Sequence, residues 1–234
     1  MNQYLQNKKG KVQSVFNKVY DKYDLMNDLM SIGVHRLWKK DMINWMAPFP
    51  KKKLIDMAGG TGDLGKLFLE NTNYEGKVLF VDPNLKMLQK VKERLKKHKN
   101  ISWKKGSAEK IPAPNNYFDY YCISFGLRNT KNINKSLKEA YRVLKPGGRF
   151  LCLEFSKVQN LHLESLYKKY SKLIPQLGKL VIGKKEPYEY LIKSIENFIN
   201  QDELIELMKQ NYFIKCEYRN LSGGIVALHS DWKI

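Results

Sequence analysis

Cysteine and histidine are scarce in this chain of 234 residues, and neither falls into a pattern that builds a site. Cys122, Cys152 and Cys216 are odd in number, far apart and set within or beside apolar runs. That excludes a disulfide framework and suits buried free thiols in a reducing compartment. His35, His98, His162 and His229 share no ligand spacing with cysteines or carboxylates, so no metal is expected. Apolar runs stay well short of the roughly 20 residues that cross a bilayer. The first residues, MNQYLQNKKGKVQ, carry neither the apolar core of a secretory signal nor the arginine of a transit peptide, which makes the cytoplasm the expected location. Acidic residues are few, 23 against 42 basic ones, for a formal charge of +19. An excess of that sign admits a nucleic acid, an anionic membrane surface, or no partner beyond solvated lysine-rich helix faces. Arginine, the better fork for phosphate, is rare and the lysines are spread along the chain, which speaks against a nucleic-acid partner.

What is present is a regular alternation of elements in a single domain spanning 1–234. Apolar positions at three-to-four spacing (Val12, Val15, Phe16, Val19, Tyr23, then Leu37, Trp38, Met42, Trp45, Met46) predict helices over 11–47, within an N-terminal helical cap of 1–50. A core of 51–156 follows. KKKLIDMA reads as a buried strand entering a glycine-rich turn, and strands are expected again at 77–82, 101–106, 118–126 and 149–155, with helices after the turn, over 85–97 and over 133–144. KPGG reads as a turn ahead of the fifth strand. Such alternation predicts a doubly wound, mostly parallel α/β sheet, because parallel strands need crossovers that helices supply. Residues 157–200 read as a helical insertion on the substrate side around Pro175 and Pro187, and 201–234 as a helix and an antiparallel strand pair joined by RNLSGG. That makes seven strands, with the last two antiparallel to the rest.

The turn LIDMAGGTGDLG (54–65) carries the chemistry. Gly60, Gly62 and Gly65 satisfy G-x-G-x-x-G between a strand and a helix, and Asp82 ends the second strand 20 residues after Gly62. Glycines let the backbone approach a ligand, a helix N-terminus offers unpaired N–H groups, and Asp82 can accept from ribose hydroxyls. A nicotinamide dinucleotide and S-adenosylmethionine both satisfy those features. Three further features favour the methyl donor. Asp56 ahead of the loop would attract a methionine ammonium but repel a pyrophosphate. GSAEKIP (106–112) after the third strand can offer Ser107 and Ala108 to an adenine, and the antiparallel ending is one that methyltransferases have.

The chain resembles the class I, Rossmann-like methyltransferases that C-methylate the quinol ring in ubiquinone and menaquinone biosynthesis. The resemblance spans nearly the whole chain and rests on VFNKVYDKYDLMNDLMSIGVHRLWK (15–39), LIDMAGGTGDLG, VDPNLKML (81–88), ISFGLRN (123–129), YRVLKPGGRFLCLEFSK (141–157), YEYLIKSIENF (188–198) and GGIVALH (223–229). It implies S-adenosylmethionine held by Thr61, Asp82, Ser107, Ala108 and Ser124, which join Asp56, Gly59 and Gly60 of the loop as expected cofactor residues, and a polyprenyl quinol as acceptor.

Methylation at a ring carbon needs electron density that loss of a phenolic proton supplies, and needs no metal because a sulfonium is already a good leaving group. Arg128, in FGLRN after the fourth strand, is the expected catalytic residue. A guanidinium stays protonated, so it would stabilise a phenolate or orient a water; otherwise it ties a loop to a helix. Asp24, Asp28 and His35 are secondary candidates for a proton relay, with capping or packing the alternative for His35. Met and aromatic positions of the first helices (Phe16, Tyr20, Tyr23, Met26, Met30, Trp38) are core by their spacing unless they line a channel for the tail. A basic, amphipathic cap is expected to touch an anionic membrane peripherally. An RNA methyltransferase, a scaffold subunit of a quinone-biosynthesis assembly, and a dehydrogenase are the competing readings.

Overall fold

The structure, a computed structural model, describes residues 23–31, 33–183 and 185–234, without the side chains of 23–26, 181 and 182. Expectations for residues 1–22, Phe16 and Tyr20 among them, and for the side chains of Tyr23, Asp24 and Met26 lie outside the described residues.

The polypeptide enters through α1 (Tyr23–Ser31) and α2 (His35–Met46), two short helices rather than one long one. Gly33, at φ +76°, makes the turn between them, a left-handed conformation that favours glycine. The alternating core follows as β1 (Lys53–Met57), α3 (Asp63–Asn71), β2 (Lys77–Asp82), α4 (Leu85–Arg94), β3 (Ile101–Lys105) and β4 (Phe118–Ser124). A single 3₁₀ turn (Leu127–Asn129), α5 (Ile133–Val143) and β5 (Leu144–Phe155) complete it. The fifth strand therefore starts before KPGG, which sits within it where the pairing register with β4 shifts. Then come α6 (Leu161–Ile182), α7 (Glu186–Glu196), α8 (Gln201–Gln210), β6 (Ile214–Leu221) and β7 (Val226–Trp232). Pro175 does not divide its helix: α6 runs through it, whereas Pro187 stands at the first turn of α7, where a missing N–H costs nothing.

The seven strands form one sheet in the order β3-β2-β1-β4-β5-β7-β6. β1 to β5 are mutually parallel, and β7 slots antiparallel between β5 and β6. Period-two alternation sorts the apolar runs onto two faces. Leu54, Val78, Phe80, Leu151 and Leu153 point to a core that also takes Trp38 and Met42 of α2 and Phe68 of α3. Ile55, Leu79, Val81, Tyr121 and Phe150 point to the other, with Leu137 of α5 and Met208 of α8. Met30 and Trp38 are thus core residues, 3% and 4% exposed, and not channel lining.

Asparagine caps the start of four of the helices. The side chains of Asn84, Asn132 and Asn160 accept from the first free N–H groups of α4, α5 and α6, and Asn200 forms a capping box with Glu203 on α8. Among the described residues no helix is long and apolar enough to cross a membrane.

Candidate active site

The strand order runs outward in both directions from β1 and β4, so the crevice at their carboxyl ends is the topological switch point where doubly wound sheets bind ligands. A narrow cleft opens there, lined by Asp56, Gly59, Gly60 and Thr61 from the glycine loop, Ser124 and Phe125 from the end of β4, and Asn27 and Lys39 from α1 and α2.

The loop is shaped by left-handed backbone at Ala58 (φ 55°), Gly60 (φ 54°) and Gly62 (φ 83°). Gly59 has no room for a side chain: a Cβ there would meet the Asp56 carboxyl carbon at 2.9 Å. Asp56 is buried beneath the loop, accepting from the Gly65 N–H at 3.0 Å and from the Cys122 thiol at 3.6 Å. Burial raises its pKa to about 7, against the pull of those two donors and of the Lys39 charge. Asp82 at the end of β2 accepts from the Asn84 N–H at 2.7 Å and from the Gly60 N–H. Burial brings it, too, to about 7. The second acid is thus hydrogen-bonded to the loop in which the first is buried.

Lys39 is buried with its Nζ 2.7 Å from Asp63, which Arg94 also holds at 2.6 Å while donating to the Thr61 carbonyl at 2.9 Å. Burial alone would raise Asp63, but the two cations hold it at about 2. The Ser124 hydroxyl is buried without a hydrogen-bond partner at the edge of the cleft. A buried hydroxyl in that condition fits a polar ligand group.

Asp82 and the remaining expected residues, Ser107, Ala108 and Arg128, lie outside the cleft lining. Ser107 closes a small turn, its carbonyl accepting from Lys110 N–H at 3.0 Å, and Ala108 is buried in the second core. Arg128 is 6% exposed. Its Nη1 donates to the Phe125 carbonyl at 2.6 Å and to Glu154 Oε1 at 2.7 Å, its Nε to Ser194 Oγ on α7 at 3.2 Å, and its guanidinium lies over the Phe155 ring. It joins the end of β4 to β5 and α7. Asp28 pairs with Arg36, whose hydrogen bonds hold its pKa down. His35 is buried with Nδ1 3.0 Å from Ser31 Oγ, and burial, reinforced by Lys39 and Arg36, lowers it to about 4. A buried ring of this kind packs, and it does not line the cleft.

Sequence reasoning missed Asn27, Lys39 and Phe125. Asn27 and Lys39 belong to the 15–39 motif, but on a helix they look like any polar face. Phe125 carries a local signal only in its position before Gly126, and its φ of 54° turns the chain out of β4. Among the described residues no cluster of metal-binding side chains occurs.

Solved structures with this architecture include a SAM-dependent methyltransferase from Thermotoga maritima (TM-score 0.68, 18% identity, 95% of this chain and 99% of that one). Another, from Aquifex aeolicus, matches at TM-score 0.65 and 16% identity over 89% and 97% of the two chains. Both share the fold. Closer in sequence are proteins named ubiquinone/menaquinone biosynthesis C-methyltransferase from Rickettsia akari (48% identity, 97% of this chain, 94% of theirs), Ruegeria sp. (45%, 97% and 92%) and Brucella abortus (45%, 97% and 87%). The model of the ubiE/COQ5 methyltransferase family matches residues 3–233. With a glycine loop, switch-point cleft and antiparallel ending in place along that whole length, the chain belongs to the ubiE/COQ5 methyltransferase family.

Proposed function

We propose that this protein transfers a methyl group from S-adenosylmethionine to a ring carbon of a polyprenyl quinol, of the benzoquinol or naphthoquinol type. The observation that carries the reading is the family match over residues 3–233 joined to a cleft at the β1/β4 switch point with an unpartnered Ser124 hydroxyl. The donor supplies a methyl on a sulfonium, ready to leave without a metal.

Each residue then has a physical task. The glycine loop at Gly59, Gly60 and Thr61 gives a backbone cradle, shaped by the bond from the Gly60 N–H to Asp82, and the start of α3 adds a positive end. Asp82 is the acceptor for ribose hydroxyls. Asp56 attracts an ammonium group, and that charge in turn favours its ionised form. Ser124 offers its hydroxyl, and Ser107 and Ala108 their backbone, to the adenine side. Lys39 and Asn27 close the cleft from the N-terminal helices, excluding water. Arg128 has contacts that support a positioning role. By holding the Phe125 carbonyl and Glu154 together it fixes the turn beside which the acceptor ring would lie.

A polyprenyl tail stays in lipid, so the proposal includes peripheral contact with an anionic membrane from the cytoplasmic side. The test is turnover of purified protein with radiolabelled methyl donor and each of the two quinols, with bulk RNA as a third acceptor. Label in a quinol supports the reading; label in RNA alone overturns it.

A further inference from the structure

The outward side of α6 exposes a row of leucines. Leu166, Leu173, Leu177 and Leu180, spaced seven, four and three residues apart, fall on one stripe of this helix. All four are exposed, Leu166 at 65% and Leu180 at 84%. A stripe of exposed leucines on one helix marks an interaction surface. Beside it on the wheel run Lys169, Lys172 and Lys179, also exposed, and α6 carries four lysines against the single Glu164. The other flank of the stripe is packed against the protein. The Tyr170 hydroxyl donates to the Leu29 carbonyl of α1, Ile174 is buried in the first core, and Gly178 lies so close to Tyr188 of α7 that a Cβ would sit 2.2 Å from its ring.

We infer that α6 is the membrane-docking element, lying flat on an anionic phospholipid surface with its leucine stripe in the acyl boundary and its lysines among the headgroups. The inference deepens the membrane contact included in the proposed function and rests on that reading. Charge names the occupant. A second copy of this chain would bring its own lysine row against the first, whereas an anionic bilayer satisfies leucines and lysines together. Placement adds a consequence for the substrate. α1 contributes Asn27 to the cleft and α7 holds Arg128 through Ser194, so both elements gripped by the inward face of α6 border the site. A helix lying on lipid would therefore keep the cleft near the depth from which a quinol head must rise.

The test uses the full chain and vesicles of phosphatidylglycerol with phosphatidylcholine, against phosphatidylcholine alone. In the variant Leu166→Gln/Leu173→Gln/Leu180→Gln every changed side chain is already solvent-exposed, so folding should survive. Its affinity for the anionic vesicles should fall by about tenfold or more, and Lys169→Glu/Lys172→Glu should lose the preference for anionic lipid. Turnover of a water-soluble, short-tailed quinol should be unchanged in both variants, while turnover of a long-tailed quinol in vesicles should fall with binding. Parent-like vesicle binding by the leucine variant overturns the inference. So does a parent dimer that the leucine variant converts to monomer, which would make the stripe a self-association face. Absence of turnover by the parent on any quinol would sink the proposed function instead, and the vesicle measurement would still decide where the protein meets lipid.

Discussion

Replacing Asp56 by asparagine isolates the electrostatics of the glycine loop. In the folded protein burial brings the Asp56 carboxyl to about 7, whereas its ordinary value is 3.8. Between those two pH values the folded state keeps a proton that the unfolded chain has lost, so stability falls as pH rises through the window and levels off above about 7. At about 1.4 kcal/mol for each tenfold change in proton affinity, the ceiling on that loss is roughly 4 kcal/mol. Asp56→Asn keeps the acceptor for the Gly65 N–H and cannot ionise. Asp82 and Asp231 are likewise raised to about 7, so the raw pH profile mixes three acids, but the difference between parent and variant leaves Asp56 alone. Urea unfolding at pH 5 and pH 8 should show the variant gaining about 2–3 kcal/mol relative to the parent on going to the higher pH. Titration calorimetry in buffers of different ionisation enthalpy should show the parent releasing protons when S-adenosylmethionine binds near pH 6.5. The variant should not, and it should bind more weakly. Equal pH slopes in parent and variant would refute the reasoning.

Three further outcomes follow from geometry. Gly65→Ala places a Cβ 2.2 Å from the ring of the fully buried Phe80, so thermal unfolding should show a loss of about 1–3 kcal/mol or more, an overpacking cost. Arg128→Ala leaves the carboxylate of Glu154, 1% exposed, without its cation and should cost about 3–5 kcal/mol; the double variant Arg128→Met/Glu154→Gln should recover at least half of that in urea unfolding. A positioning arginine further predicts that, at a temperature where Arg128→Lys stays folded, kcat falls more than KM rises. Ser124→Ala removes a buried hydroxyl that has no partner, so unfolding should be unchanged or shifted slightly upward, while the Kd for S-adenosylmethionine rises by about fivefold to tenfold.

The parallel core was legible because strands buried on both faces read as continuous apolar runs. KVLFVD is β2 to the residue, and the glycine loop with Asp56 and Asp82 announces the cofactor end of the sheet. Less legible were features made by distance. Lys39 meets Asp63, and Arg128 meets Glu154, only after the sheet is wound, and a helical lysine or a strand glutamate has no local mark of its partner. The fifth strand starts at Leu144 because a register shift absorbs the two glycines that otherwise signal a turn. Met30 and Trp38, core by their helical spacing, are core in the fold as well. The stripe left over is on α6, where the sequence shows only that leucines and lysines alternate.

The central claim is the position of methyl transfer. The direct measurement is carbon NMR of the product formed from a quinol and S-adenosylmethionine labelled with carbon-13 in its methyl group. A labelled methyl bonded to a ring carbon is the predicted result. A label bonded to oxygen, as a methoxy signal, or no labelled product with either quinol, would contradict the account.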